Sequence, residues 1–141
     1  MNIHFEIVTP EKVVLKQEVL QISVPTKTGE ITILPNHIPL ISALQPGVIE
    51  IKTTDNKVET MAVSGGFIEV LPDKVVILAD TAERAVDIDE ARAEEAHKRA
   101  IESMKKKEEQ VDFTAVQAKM AKELSRLQAV KRYKHHKEVI K

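Results

Sequence analysis

The segment Ile88-Asp89-Glu90-Ala91-Arg92-Ala93 sets a carboxylate and a guanidinium about one helical turn apart, and Arg99 follows Arg92 two turns later. On a helix these three side chains share one face. Two guanidinium groups in line suit an anion, and a neighbouring carboxylate can accept a hydrogen from an amino group. The segment is therefore a candidate for holding an anionic ligand through Arg92 and Arg99, with Asp89 accepting from an amine. The alternative is a helix start with favourably placed acids and an Asp–Arg pair worth about 0.3 kcal/mol. Spacing alone leaves both open.

Little else in the chain offers catalysis. No Gly-rich loop ends in Gly-Lys, so phosphates are not cradled in the P-loop manner, and Ser64-Gly65-Gly66 lacks the preceding glycine of a nucleophile elbow. The five histidines, His4, His37, His97, His135 and His136, include no helical pair with an intervening glutamate. His135 and His136 are adjacent and point about 100° apart on a helix, a poor metal clamp. There is no cysteine, hence no disulfide, thiolate metal site or thiol nucleophile. A small nucleotide-hydrolysing enzyme is disfavoured on these grounds, and no metal site is expected.

The elements that must position these side chains divide sharply. Every proline and glycine lies at or before Pro72, and the 69 residues from Asp73 to Lys141 contain neither. Both residue types punctuate turns and break helices, so a turn-rich β unit should precede a helical one. Runs at Ile3 to Val8, Glu18 to Val24, Gly29 to Leu34, Gly47 to Lys52, Val58 to Val63, Gly66 to Leu71 and Lys74 to Ala79 read as strands. Alternation is clearest in Ile3-Phe5-Ile7, in Val48-Glu50 with Ile49-Ile51, and in Phe67-Glu69 with Ile68-Val70. Aromatics make up only 3% of the chain, so Val, Ile and Leu must build the core. Many short strands so spaced predict an all-β, antiparallel β-sandwich over residues 1–84.

Residues 85–141 should form a C-terminal α-helical hairpin. Asp87 with Glu90 makes a variant capping box, and Ala93, Ala96, Ala100 and Met104 form a narrow apolar stripe. A second stripe runs through Phe113, Val116, Met120, Leu124, Leu127 and Val130, capped by Asp112, with Lys105 to Asp112 as the turn. Such a pair buries little apolar surface and should open easily. Without a Gly or Pro between them the helices could straighten into roughly 50 residues of helix, about 75 Å long.

Charge follows the same divide. Residues 1–84 carry 7 Lys/Arg against 11 Asp/Glu and residues 85–141 carry 14 against 11, giving −4 and +3. Residues 119–141 alone hold 8 basic and 2 acidic side chains, so their partner should be acidic. An adaptor whose basic amphipathic tail binds nucleic acid or an anionic membrane is the rival from another class. Only Tyr133 provides an aromatic in the basic segment, which is poor provision for base stacking, and no nucleic-acid partner is expected. No stretch approaches the ~20 apolar residues of a membrane span, and the N-terminus lacks a targeting pattern, so a soluble protein is expected.

The whole chain resembles the epsilon subunit of bacterial rotary F-type ATP synthases. The resemblance is carried by Val24-Pro25 with Gly29-Glu30, by Ile33-Leu34-Pro35-Asn36-His37-Ile38-Pro39-Leu40 and by Leu44-Gln45-Pro46-Gly47. Val63-Ser64-Gly65-Gly66-Phe67-Ile68-Glu69-Val70 and Leu78-Ala79-Asp80-Thr81-Ala82-Glu83-Arg84 complete it. Many members carry Gly where this chain has Thr32 and Asn36. The resemblance implies a non-catalytic rotor subunit, peripheral at the cytoplasmic face of the plasma membrane. It would dock on the gamma subunit and the ring of c subunits, couple rotation to synthesis, and brake ATP hydrolysis through its helical tail.

The segment Ile88 to Ala93 is similar to the family's I/L-D-x-x-R-A motif, found in members whose hairpin binds ATP without cleaving it. The resemblance implies that Ile88, Asp89 and Ala93 surround adenine with Glu83 nearby, while Arg92, Arg99 and Arg126 face the phosphates, with Mg²⁺ as a possible companion of the nucleotide. Those members carry another arginine where this chain has Lys122. Lysine keeps the charge but loses the planar two-pronged donor, so affinity is the property this departure touches. When ATP falls the tail would open, and its basic end, Lys131, Arg132 and Lys134, would meet acidic residues of the alpha and beta subunits.

Overall fold

A computed structural model of the chain describes residues 1–105 and 113–139. Nine strands precede two helices: β1 (Ile3–Val8), β2 (Val13–Thr26), β3 (Gly29–Ile33), β4 (Leu40–Leu44), β5 (Gly47–Thr53), β6 (Val58–Val63), β7 (Gly66–Val70), β8 (Lys74–Ala79) and β9 (Ala82–Arg84). A single 3₁₀ turn, Ala85–Asp87, leads to α1 (Glu90–Lys105) and α2 (Phe113–Val139).

The strands make one continuous sheet folded over on itself into a sandwich. The long β2 is the fold line: its first half pairs with β1, and its second half pairs with β3 on one edge and β5 on the other. The order β3–β2–β5–β6–β9 forms one layer, and β1–β8–β7–β4 forms the other. Between them lies an aliphatic core that includes Ile3, Phe5 and Ile7 of β1, Ile22 of β2, Ile49 and Ile51 of β5, and Ile68 and Ile77 of β7 and β8. Burying one such side chain stabilises the fold by about 2 kcal/mol. The β-branched, alternating runs predict these inward positions correctly, because a period of two sends every second side chain to the same face.

Three expectations need correction or extension. The sandwich is not wholly antiparallel, since β1 and β8 pair in parallel, His4 opposite Lys74 through Val8 opposite Leu78. Two strands beyond the expected seven are present, β4 and the three-residue β9. Asn36, in the turn between β3 and β4, adopts φ 63°, the left-handed region that asparagine tolerates better than other side chains.

The outer surfaces of the two layers differ. Outside β5 and β6, Val48 and Ala62 face each other across the ladder and are buried together with Ala85, under Ala129 of α2. The Thr60 hydroxyl donates to the Ala129 carbonyl at 3.4 Å, and Tyr133 and Ile88 pack on the same cluster. Outside β4, β7 and β8, Ile41, Phe67 and Leu78 stand 74%, 60% and 58% exposed. One apolar face is therefore covered by the chain's own helix, and the other is bare.

The helices run antiparallel, with Glu90 at the start of α1 ion-paired to Lys134 near the end of α2. Ala93 and Ala100 are fully buried in the seam, as their small size and spacing predict. Leu124, expected in the apolar stripe, is instead 44% exposed, while Glu123, Ser125 and Ala129 are buried. The reason is that α2 has two neighbours. Val116, Met120, Leu127 and Val130 share one stripe by helical geometry, whereas Ala129 and Tyr133, which pack on the sandwich, lie about a third of a turn round. Leu124 falls outside both. The turn expected before Asp112, the Asp112 cap, and the side chains of Met104 and Phe113 lie outside the described residues.

Candidate functional site

The cap of α1 is Asp89 rather than Asp87. Asp87 ends the 3₁₀ turn, whose Ala85 carbonyl accepts from the Ile88 amide at 3.2 Å, and Ile88 is then extended with ψ 127°. That extension brings Asp89 to the mouth of the helix, where its Oδ1 accepts from the Arg92 backbone N–H at 3.2 Å. Helix starts favour such an acceptor because their first amides have no partner within the helix. The carboxylate thus meets the main chain of Arg92 rather than its guanidinium, and the Arg92 side chain stays exposed.

Arg99 is exposed and donates to Glu95 Oε1 at 2.5 Å, one turn back on the same helix. Ile88 is half-buried on the cluster beneath α2, and Ala93 is sealed in the helix seam. Lys122 faces elsewhere: with Lys12, Asp80 and Glu83 it lines a cavity of about 280 Å³ between the β1–β2 turn, the approach to β9 and α2.

The closest association among the expected residues is Arg126 with Glu83. Arg126 Nε donates to Glu83 Oε2 at 2.6 Å, tying α2 to β9, and Nη1 donates to Glu123 Oε2 at 2.9 Å. The guanidinium is mostly buried, and the Glu123 side chain is only 8% exposed. Burial disfavours the charge on Arg126, but hydrogen bonds and attraction from Glu123 and Glu83 outweigh it and raise its pKa above the usual arginine range. A raised cation pKa stabilises the folded state at every pH below the unfolded value and is lost only as pH rises through the folded one. Across neutral pH this contribution is constant.

Glu83, Lys122 and Arg126 therefore meet at the joint between sandwich and hairpin, and Asp89 and Arg92 sit at the start of α1. Sequence reasoning missed Glu123, although its spacing of three residues from Arg126 is the spacing of a helical ion pair.

Two family models together match nearly the whole chain. The ATP synthase delta/epsilon chain β-sandwich domain matches residues 2–85, and the delta/epsilon chain long α-helix domain matches residues 87–131. An ATP synthase epsilon chain from Chloroflexus aggregans is 48% identical, over 95% of this chain and 96% of its own length. The chain belongs to the ATP synthase epsilon chain family. Another epsilon chain, from Herpetosiphon aurantiacus, is 46% identical over 93% of this chain and 96% of its own. Among solved structures, a chain of the Euglena gracilis mitochondrial ATP synthase OSCP/F1/c-ring assembly matches with a TM-score of 0.71 at 24% identity, covering 86% of this chain and 76% of that one. A chain of the Tetrahymena thermophila mitochondrial ATP synthase central stalk and c-ring matches with a TM-score of 0.56 at 15% identity, covering 94% and 96%. These two likenesses support the fold of this epsilon-family chain, a sandwich followed by helices. No helix among its described residues is long and apolar enough to cross a membrane.

Proposed function

We propose that this epsilon-family chain is a non-catalytic subunit of the central stalk of a proton-translocating ATP synthase, peripheral at the cytoplasmic face of the membrane. Its sandwich rides on the rotor, and its hairpin senses ATP and brakes hydrolysis when it opens. The uncovered apolar strip of Ile41, Phe67 and Leu78 supports the docking half, since a soluble face of that kind ordinarily meets a partner. Its occupant is the gamma subunit. Leu34 and Ile38, exposed on the loop between β3 and β4, meet the ring of c subunits.

The sensing half is carried by one observation, the placement of Arg126 and Lys122 of α2 against Glu83 of β9. A ligand gripped there and by Asp89, Arg92 and Arg99 of α1 is complete only while the hairpin is folded on the sandwich. ATP then shifts the population toward that state, by about 2.7 kcal/mol at 100 times its dissociation constant. Ile88 and Ala93 would bound the adenine side once α1 yields slightly, because Ala93 is sealed in the ligand-free seam. ATP is bound and not cleaved, with or without Mg²⁺.

Titrating the isolated chain with ATP tests this directly. Wild type should bind without releasing ADP, and the Asp89→Ala, Arg92→Ala double variant should bind at least about tenfold more weakly, the loss of one or two charge-assisted hydrogen bonds. Equal affinities would remove the site. Deleting residues 85–141 should raise ATP hydrolysis by the assembled enzyme, and unchanged hydrolysis would remove the brake. A nucleic-acid or membrane adaptor gains no support, since Arg132 and Lys134 of the basic end are paired with the chain's own acids.

A further inference from the structure

The basic end of α2 lies against the sandwich at one acidic point. Glu50, on the outer face of β5, accepts from Arg132 Nη1 at 3.2 Å and lies 3.6 Å from His136 Nε2. Glu30 of β3 stands 3.9 Å from the same Arg132 nitrogen. Arg132 and His136 are one turn apart, so a single carboxylate spans two rungs of the helix. These contacts lie beyond the apolar cluster of Val48, Ala62 and Ala129, toward the helix end and away from Glu83 and Arg126.

We propose that Glu50, assisted by Glu30, is an internal acidic latch that holds the basic end of α2 to the sandwich and so sets how readily the hairpin opens. Three features point this way. The sandwich half of the chain carries −4 and the helical half +3, so the halves attract as wholes. The pairs are half-exposed, with Arg132 at 43% and Glu50 at 29%, so they are weak and easily exchanged for equivalent ones elsewhere. Finally, Arg132 and Lys134 are each held by an acid of a different element, Lys134 by Glu90 of α1, so neither side chain can reach an outside acid without breaking an internal pair.

The latch is separate from the nucleotide site and acts in its absence. Only its effect on hydrolysis rests on the braking function proposed above. Because exposed pairs are screened by salt, the latch should loosen between low and physiological ionic strength.

Amide hydrogen exchange of the isolated, nucleotide-free chain reads the latch without any other subunit. In Glu50→Gln, amides of residues 128–136 should exchange about threefold or more faster than in wild type, while those of β1 and β8 are unchanged. Arg132→Gln should give a similar acceleration, and the double variant should add little to either, because both remove the same contact. Salt should accelerate wild type more than the double variant, in which only pairs such as Lys134 with Glu90 remain to be screened. Exchange unchanged in both single variants, or fully additive effects, would overturn the latch. In the assembled enzyme at low ATP, Glu50→Gln should deepen inhibition of hydrolysis. Faster exchange with unaltered inhibition would overturn the link between the latch and hydrolysis while the latch itself stands.

Discussion

Gly66→Ala should cost the sandwich about 4 kcal/mol, enough to leave it marginal when whole domains are stable by roughly 5–15 kcal/mol. Gly66 has φ 138°, a conformation that side chains rarely adopt, and this alone costs of order 1–3 kcal/mol. The larger difficulty is space. A β-carbon there would stand 2.1 Å from the Leu78 carbonyl oxygen and 2.8 Å from the Ala79 α-carbon. Both are backbone atoms of β8 where Gly66 pairs with Ala79 at one end of the β7–β8 ladder, so no side-chain rotation relieves the clash. Relief requires parting the two strands, which displaces Phe67 and Leu78 on the uncovered apolar face as well as Ile68 and Ile77 in the core. Gly29→Ala is the matched control, because Gly29 also has positive φ, 122°, but nothing lies within 4 Å of its added β-carbon. Urea melts should show Gly66→Ala losing about 2 kcal/mol more than Gly29→Ala. Equal losses would mean that backbone strain, not the strand approach, sets the value of the glycine.

The strands that could be read from the sequence are those whose inner and outer residues differ in polarity. β4 escaped because Pro39 precedes it and its outward residue, Ile41, is apolar, so no alternation shows. The three-residue β9 is too short to carry a pattern. The parallel pairing of β1 with β8 brings together segments about 70 residues apart and leaves no local trace. In the tail, periodicity located both helices but assumed that α2 had one neighbour. The sheet face of Val48 and Ala62 supplies the second, which is why Ala129 is buried while Leu124, on neither face, is not. The site was legible to the same degree. Arg92 and Arg99 share an exposed face as their spacing requires, whereas the function of Asp89 as a cap depended on where the 3₁₀ turn ends. Glu50 could be placed on an outer face by alternation, but nothing local says that a helix some 80 residues later would lie on it.

Arg126→Ala should unlatch the hairpin more than any other single change in the tail. Removing the guanidinium leaves Glu123 deeply buried and Glu83 half-buried, both without the hydrogen bonds that Arg126 gives them. A buried carboxylate stripped of its partner costs more than the pair contributed, because its desolvation is no longer offset. Glu83 is 40% exposed and recovers water, so the loss comes mainly from Glu123, and a total of about 2 kcal/mol is expected. That corresponds to roughly a thirtyfold shift toward the undocked tail. Fluorescence energy transfer between dyes on β1 and on the end of α2 would report it as a fall in efficiency in nucleotide-free protein. Arg126→Ala with Glu123→Leu separates the two contributions, since a leucine needs no partner in the same space. Recovery of the docked state by the second substitution, with ATP binding still lost, would assign Glu123 to holding the joint and Arg126 to both the joint and the ligand. If ATP instead binds the double variant as tightly as wild type, Arg126 is a structural residue only, and the phosphate contacts must come from Arg92, Arg99 and Lys122.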